Sequence, residues 1–195
     1  MQIQNDFALA LPPQQAYALL LDLDRVAPCM PGARLGGPVG DGARAVEVTV
    51  KLGPMKFVYD GTVRIAERDD AARSALLIGA AREKRGQGNA EARIRMTVSA
   101  GESGGSRIAS VADVDLTGRA AQTGRGIVED VARRMIGQMA ACLEADVCAD
   151  PAIANGRPST GPHPNQAAKP IAGGRLLLSL IWSQLRRLLR WRPKT

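Results

Sequence analysis

Between Val46 and Leu116 the apolar residues keep one parity through segment after segment, and from about Gly118 that period of two gives way to a helical one. Val46, Val48, Val50 and Leu52 fall on one side of their segment. Met55, Phe57, Tyr59, Val63 and Ile65 do the same in the next, followed by Leu76, Ile78 and Ala80, by Ala92, Ile94, Met96 and Val98, and by Ile108, Ala112, Val114 and Leu116. The other parity is mostly polar, as in Arg93, Arg95 and Thr97, which suits antiparallel strands with one wet and one covered face. Gly53-Pro54, Asp69-Asp70 and Gly101 to Gly105 supply the turns. What covers the apolar face is the segment after Gly118, where Ile127, Val128, Val131, Met135, Ile136, Met139, Leu143 and Val147 recur at helical spacing.

Upstream, Met1, Ile3, Phe7 and Leu9 alternate with polar residues, which predicts a first strand ended by Pro12-Pro13. Pro13 can open a short helix through Leu23, because its missing N–H is unpaired there anyway. The string DRVAPCMPG at 24–32 reads as a second helical turn and then a loop. Strand, two short helices, a meander and one long helix make an α+β domain over residues 1–148.

Residues 149–174 are rich in Pro, Gly and Ala without an apolar period, and read as a flexible linker. Charge separates what lies on either side of it. All 19 acidic residues and 18 of the 26 lysines and arginines fall within 1–150, leaving that body at −1, while the remaining 8 basic residues give the last 45 positions +8. The pI near 9.9 is therefore a property of the tail.

Within 175–195 the string RLLLSLIWSQLRRLLRWR reads as a basic amphipathic helix. Leu178, Ile181, Trp182, Leu185, Leu188, Leu189 and Trp191 face one side, and Arg175, Arg186, Arg187 and Arg190 the other, with Arg192 following. As a helix its 18 residues would be about 27 Å long, but the arginines interrupt an apolar run that falls short of the roughly 20 residues a span requires. Such a segment lies in the interface of an anionic membrane, with Trp at headgroup depth and each basic side chain contributing on the order of 1 kcal/mol. Docking in a protein groove uses the same pattern and stays open, whereas the crowded Leu/Trp face argues against nucleic acid.

Catalytic equipment is sparse. The single histidine, His163, sits in the linker, so the body has no histidine for a triad, an acid–base pair or a metal. The pairs Asp22/Asp24, Asp69/Asp70 and Asp113/Asp115 occupy turns or the exposed parity, where solvated surface is expected. No phosphate-binding or dinucleotide fingerprint is present. Cys29, Cys142 and Cys148 are odd in number and lack CxxC spacing, which fits a reducing compartment and argues against both a disulfide framework and a zinc site. MQIQNDFALALPP carries no export signal, so the cytoplasm is expected.

Several strings, in this order, resemble the CoxG family of carbon monoxide dehydrogenase subunits, within the START and Bet v 1-like superfamily. They are the opening strand with PPQQAYALLLD, then CMPGA at 29–33, VKLGPMKFVYDGTVRIAERD at 50–69, and GRAAQTGRGIVEDVARRMIGQMAACLE at 118–144. The resemblance implies a helix-grip fold, with an antiparallel sheet wrapped around the long helix and an apolar cavity between them. It also implies a non-catalytic accessory role: recruiting a molybdenum hydroxylase of the carbon monoxide or xanthine dehydrogenase type to the inner face of the cell membrane, with a quinone or lipid in the cavity. The expected lining is Val48, Val50, Met55, Phe57, Tyr59, Ile78, Ile94 and Met96 from the sheet, and Ile127, Val131, Met135 and Met139 from the helix. The scarcity of aromatic side chains leaves room for a ligand among them, although each also reads as plain core. Cys29, Met30, Pro31 and Gly32 are expected at the cavity mouth, or as a simple turn. A cyclase or aromatase enzyme and a lipid carrier are the competing readings on the same fold.

Overall fold

A computed structural model describes residues 1–149. The element order is β1 (Gln2–Leu9), α1 (Pro13–Leu21), α2 (Leu23–Cys29), β2 (Ala33–Gly40), β3 (Ala43–Leu52), β4 (Met55–Asp69), β5 (Ser74–Glu83), β6 (Asn89–Ala100), β7 (Ser106–Leu116) and α3 (Arg125–Ala149). The seven strands form one antiparallel sheet in the order β1-β7-β6-β5-β4-β3-β2. Every connection from β2 to β7 joins sheet neighbours, while α1 and α2 carry the chain from one edge strand, β1, to the other, β2.

Alternation predicted five of the strands after α2 but not β2, whose sequence ARLGGPVG carries two adjacent glycines and a proline and has no apolar period. Pairing with β3 makes it a strand, with register shifts on either side of Pro38. Helix α1 begins on Pro13 as expected, and α2 is capped by Asp22, whose carboxylate accepts the N–H groups of Asp24 and Arg25.

One core cluster sits where both short helices and the second half of α3 meet the sheet. Leu9, Leu11, Tyr17, Leu19, Leu20, Cys29, Met96, Val98, Ile108, Met139, Leu143 and Val147 are all buried there. Tyr17, 1% exposed, donates its hydroxyl proton toward the carbonyls of Ser74 at 2.9 Å and Asp69 at 3.2 Å, tying α1 to the β4–β5 turn. Burial and the nearby Asp70 push that hydroxyl's pKa above the ordinary tyrosine range, so it stays a donor.

The connection from α2 into β2 is tight. Gly32 holds a left-handed φ of +76°, its carbonyl accepts the N–H of Thr49, and a Cβ there would come within 2.3 Å of the Thr49 carbonyl oxygen.

The cysteines correct the sequence expectation. Cys29, at the end of α2, and Cys142, on α3, form a disulfide across a separation of 113 residues, with Cα atoms 5.4 Å apart; Cys148 is free and exposed. Sequence spacing could not reveal the pair because folding, not local order, brings α2 and α3 together.

Two substitutions test this frame by urea denaturation. Leu143→Ala, at a side chain 1% exposed, should cost about 3 kcal/mol through transfer and cavity effects. Gly32→Ala should cost at least about 2 kcal/mol, since left-handed strain and the backbone collision add.

Candidate functional site

Because side chains alternate along each strand, the ladder register assigns the face that α3 covers. Across β3 and β4, Val50 pairs with Phe57 and Val48 with Tyr59; across β5 and β6, Leu77 pairs with Ile94 and Ala75 with Met96. Val48, Val50, Met55, Phe57, Tyr59, Ile94 and Met96 thus share the concave face, as expected from sequence. Ile78 does not. It pairs with Arg64 and Arg93 on the convex face, because β5 turns Ala75, Leu77, Gly79, Ala81 and Glu83 inward and its bulkier apolar alternates outward.

A second cluster holds Leu52, Phe57, Tyr59 and Ala120, with Val50, Met55, Ala81, Ala90, Val128 and Val131 against it. Between the two clusters the sheet presents small side chains. Gly61 lies opposite Ala81, Gly79 opposite Ala92, and Ala112 opposite Ile94. Helix α3 passes over this belt, making its close backbone approaches to β1 and, more sparsely, to β3.

Its second half is anchored, with Met139, Ala140, Leu143 and Val147 buried, while its first half packs more loosely, through Val128 and Val131 against the second cluster. Val131 and Met135 are half-buried, and Ile127, expected in the lining, is 45% exposed. Beneath it Val63, Ile65, Ile94 and Ala92 are also only half-buried, although they face the helix. Glycine and alanine meet the helix with little volume, so the apolar surface here is only half covered and forms a shallow groove.

Two shallow surface depressions lie at the edges of the sheet–helix contact. One, of about 200 Å³, lies between Met1, Val114, Leu116, Gly124 and Val128 at the start of α3. The other, of about 290 Å³, lies between Leu21, Leu23, Asp24, Gly42, Arg44 and Ile65. At the second, the Arg44 guanidinium grips the Asp24 carboxylate through two bonds of 2.8 and 2.9 Å and also donates to the Gly36 carbonyl. That grip holds the Asp24 carboxyl below the usual carboxylate range.

The expected mouth residues lie nearby in chain order but differ in kind. Cys29 is buried in the core and cross-linked, Met30 packs against the same cluster, and Pro31-Gly32 form the turn into β2.

One polar atom on the groove stands out. Tyr59 is 6% exposed, and its hydroxyl, which makes no hydrogen bond to another described residue, keeps contact with solvent. Burial, and then the neighbouring Glu83, push its pKa up, so it remains a neutral donor at any physiological pH. Glu83 is itself 3% exposed, and its carboxylate is occupied by the N–H groups of Arg85 at 2.6 Å and Gln87 at 3.2 Å. It shapes the β5–β6 hairpin and supplies a fixed negative charge beside Tyr59. Sequence reasoning missed Glu83, which sits in the charged string Arg82-Glu83-Lys84-Arg85, and missed the belt of small residues, which carries no hydropathy signal.

An apolar groove with one donor can hold an elongated apolar molecule by one oxygen. It brings together no nucleophile and base. The residues expected to contact the membrane, Arg175 to Arg192, lie outside the described residues. Among those described, no helix is long and apolar enough to cross a bilayer.

Residues 6–148 match the sequence model of a family described as CoxG, a carbon monoxide dehydrogenase subunit. No curated protein matches the chain. Among solved structures, a conserved protein from Geobacillus kaustophilus superposes with a TM-score of 0.68 at 13% identity, covering 76% of this chain and 96% of that one. TTHA0849 from Thermus thermophilus gives 0.56 at 16%, covering 76% and 98%. The Zhui aromatase/cyclase from a Streptomyces species, R1128, gives 0.56 at 13%, covering 81% and 99%. At these identities the likeness establishes the fold, which is the helix grip.

Replacing Tyr59 with Phe removes a hydroxyl that makes no hydrogen bond to another described residue. Thermal melting of the Tyr59→Phe variant should therefore find stability unchanged or raised, within about 1 kcal/mol.

Proposed function

The chain belongs to the CoxG family of carbon monoxide dehydrogenase subunits, and on that premise we propose that it serves as a ligand-binding accessory protein that holds a quinone or similar lipid in the groove under α3. The observation that carries the reading is the Tyr59 hydroxyl, without a hydrogen bond to another described residue and open to solvent, at the edge of the apolar surface beneath the first half of α3. A carbonyl oxygen on an otherwise apolar molecule satisfies that donor while its body covers Gly79, Ala92 and Ile94. An occupant with one well-placed acceptor takes the place of water on that donor and gains the apolar contact as well.

The partner is a molybdenum hydroxylase of the carbon monoxide dehydrogenase type, and the quinone would be the carrier that accepts its electrons. Residues 175–195 deliver the pair to the inner face of the cell membrane. The support is in the sequence: a body at −1, a tail at +8, and both tryptophans in the tail. Arg175, Arg186, Arg187 and Arg190 meet anionic headgroups while Leu178, Ile181, Trp182, Leu185, Leu188, Leu189 and Trp191 enter the interface.

A cyclase or aromatase activity on the same fold predicts turnover by the protein alone. The accessory reading predicts binding without turnover, because no acid–base pair lines the groove.

Two measurements test the proposal. Ubiquinone or menaquinone analogues with short tails should bind the full chain, as read by tyrosine fluorescence or native mass spectrometry. Tyr59→Phe should weaken binding about fivefold to tenfold, the worth of one net hydrogen bond, and Ala92→Phe should abolish it while the protein stays folded. Deleting 175–195 should release the protein from vesicles containing phosphatidylglycerol; a truncated chain that still sediments fully with them would rule out the tether.

A further inference from the structure

Asp146 follows Cys142 by four residues on α3, so the two side chains share a face one helical turn apart. Folding brings Cys29 to the same place, and the two sulfurs and one carboxylate oxygen all lie within 4.8 Å of one another. The Asp146 Oδ2 to Cys29 Sγ distance is 3.5 Å. In the disulfide that contact is an ordinary van der Waals approach and not a hydrogen bond, since a bonded sulfur carries no proton to donate and a carboxylate can only accept.

The same three groups, with the disulfide reduced, also fit a zinc ion. With Zn–S near about 2.3 Å and Zn–O near about 2.0 Å, the sulfur-to-oxygen edge of a tetrahedron is about 3.5 Å. The Asp146 to Cys29 distance already equals that edge. The sulfur-to-sulfur edge needs only that the S–S bond be broken and the two sulfurs part to about 3.8 Å.

We propose that Cys29, Cys142 and Asp146 form a redox-gated site for zinc or a similar thiophilic divalent cation, closed in the disulfide and open in the dithiol. Opening takes two electrons from a thiol or phosphine reductant. With a thiol, a thiolate attacks the half-exposed Cys142 Sγ, the S–S bond breaks, and Cys29 leaves as a thiolate that takes up a proton. A second thiolate then attacks the mixed disulfide, releasing Cys142 and leaving the reductant as its own disulfide. Metal binding displaces the two thiol protons, giving two Zn–S bonds and one bond to the Asp146 carboxylate. Asp146 is exposed, so a water can complete the fourth position.

The site joins α2 to α3 in both states, by a covalent bond in one and by a metal bridge in the other. Sequence spacing hides it, because only the Cys-x3-Asp half is local.

Cobalt(II) is the probe, because thiolate ligation gives it a charge-transfer band. The full chain, reduced with a phosphine and desalted without air, should bind one cobalt per chain with that band and yield it to zinc. The oxidised chain should bind none. Cys142→Ser should lose the band. Asp146→Asn, a surface change that does not threaten folding, should weaken binding at least about tenfold, and Cys148→Ser should leave it unchanged. Folding of each variant is checked by far-ultraviolet circular dichroism. The site is refuted if the reduced, folded chain binds no cobalt, or if Cys142→Ser and Asp146→Asn bind it as the parent does. Equal thiol counts before and after reduction would remove the gating.

Discussion

A seven-stranded sheet presents more apolar face than one helix can bury, and that mismatch governs the rest of this structure. The period of two commits every concave-face residue from Ile3 to Leu52 to the same side. Helix α3 then has to cover all of it. It succeeds where α1 and α2 add their own side chains and where the second half of α3 carries Met139, Leu143 and Val147. Toward its first half there is no such help, and the sheet below offers glycine and alanine. The groove is therefore a consequence of the arithmetic of volumes rather than of any one residue.

That distribution explains what was legible in the sequence. Strands β3, β4, β6 and β7 announced themselves because β-branched and aromatic residues alternate with polar ones along them. Strand β2 did not, since a Gly-Gly-Pro string becomes a strand only by pairing with β3. In β5 the parity itself misled: Leu76 and Ile78 are the bulkier residues, yet the face that matters carries Gly79 and Ala81. A ligand groove is built from what is missing, and missing volume leaves no mark on a hydropathy pattern. The long helix was readable over its whole length, but Ile127 shows that apolar spacing does not reveal where along a helix the covering stops.

The polar features divide in the same way. Tyr59 was legible as a tyrosine on the inward parity. That its hydroxyl makes no hydrogen bond to another described residue, while Tyr17 has two acceptors, depends on contacts with β4 and β5 that only the fold provides. Glu83 is the reverse case: a residue in a charged run that turns inward because two backbone N–H groups of its own hairpin satisfy it.

The link between Cys29 and Cys142 also has a topological side. The chain between them contains β2 through β7, so the covalent ring encloses the whole meander and leaves only β1, α1 and most of α2 outside it on the N-terminal side. A single cut by a protease in any of the hairpins between β2 and β7 opens the ring without separating its halves. The nicked body stays one molecule, its strands still paired, and parts into two fragments only when the disulfide is reduced.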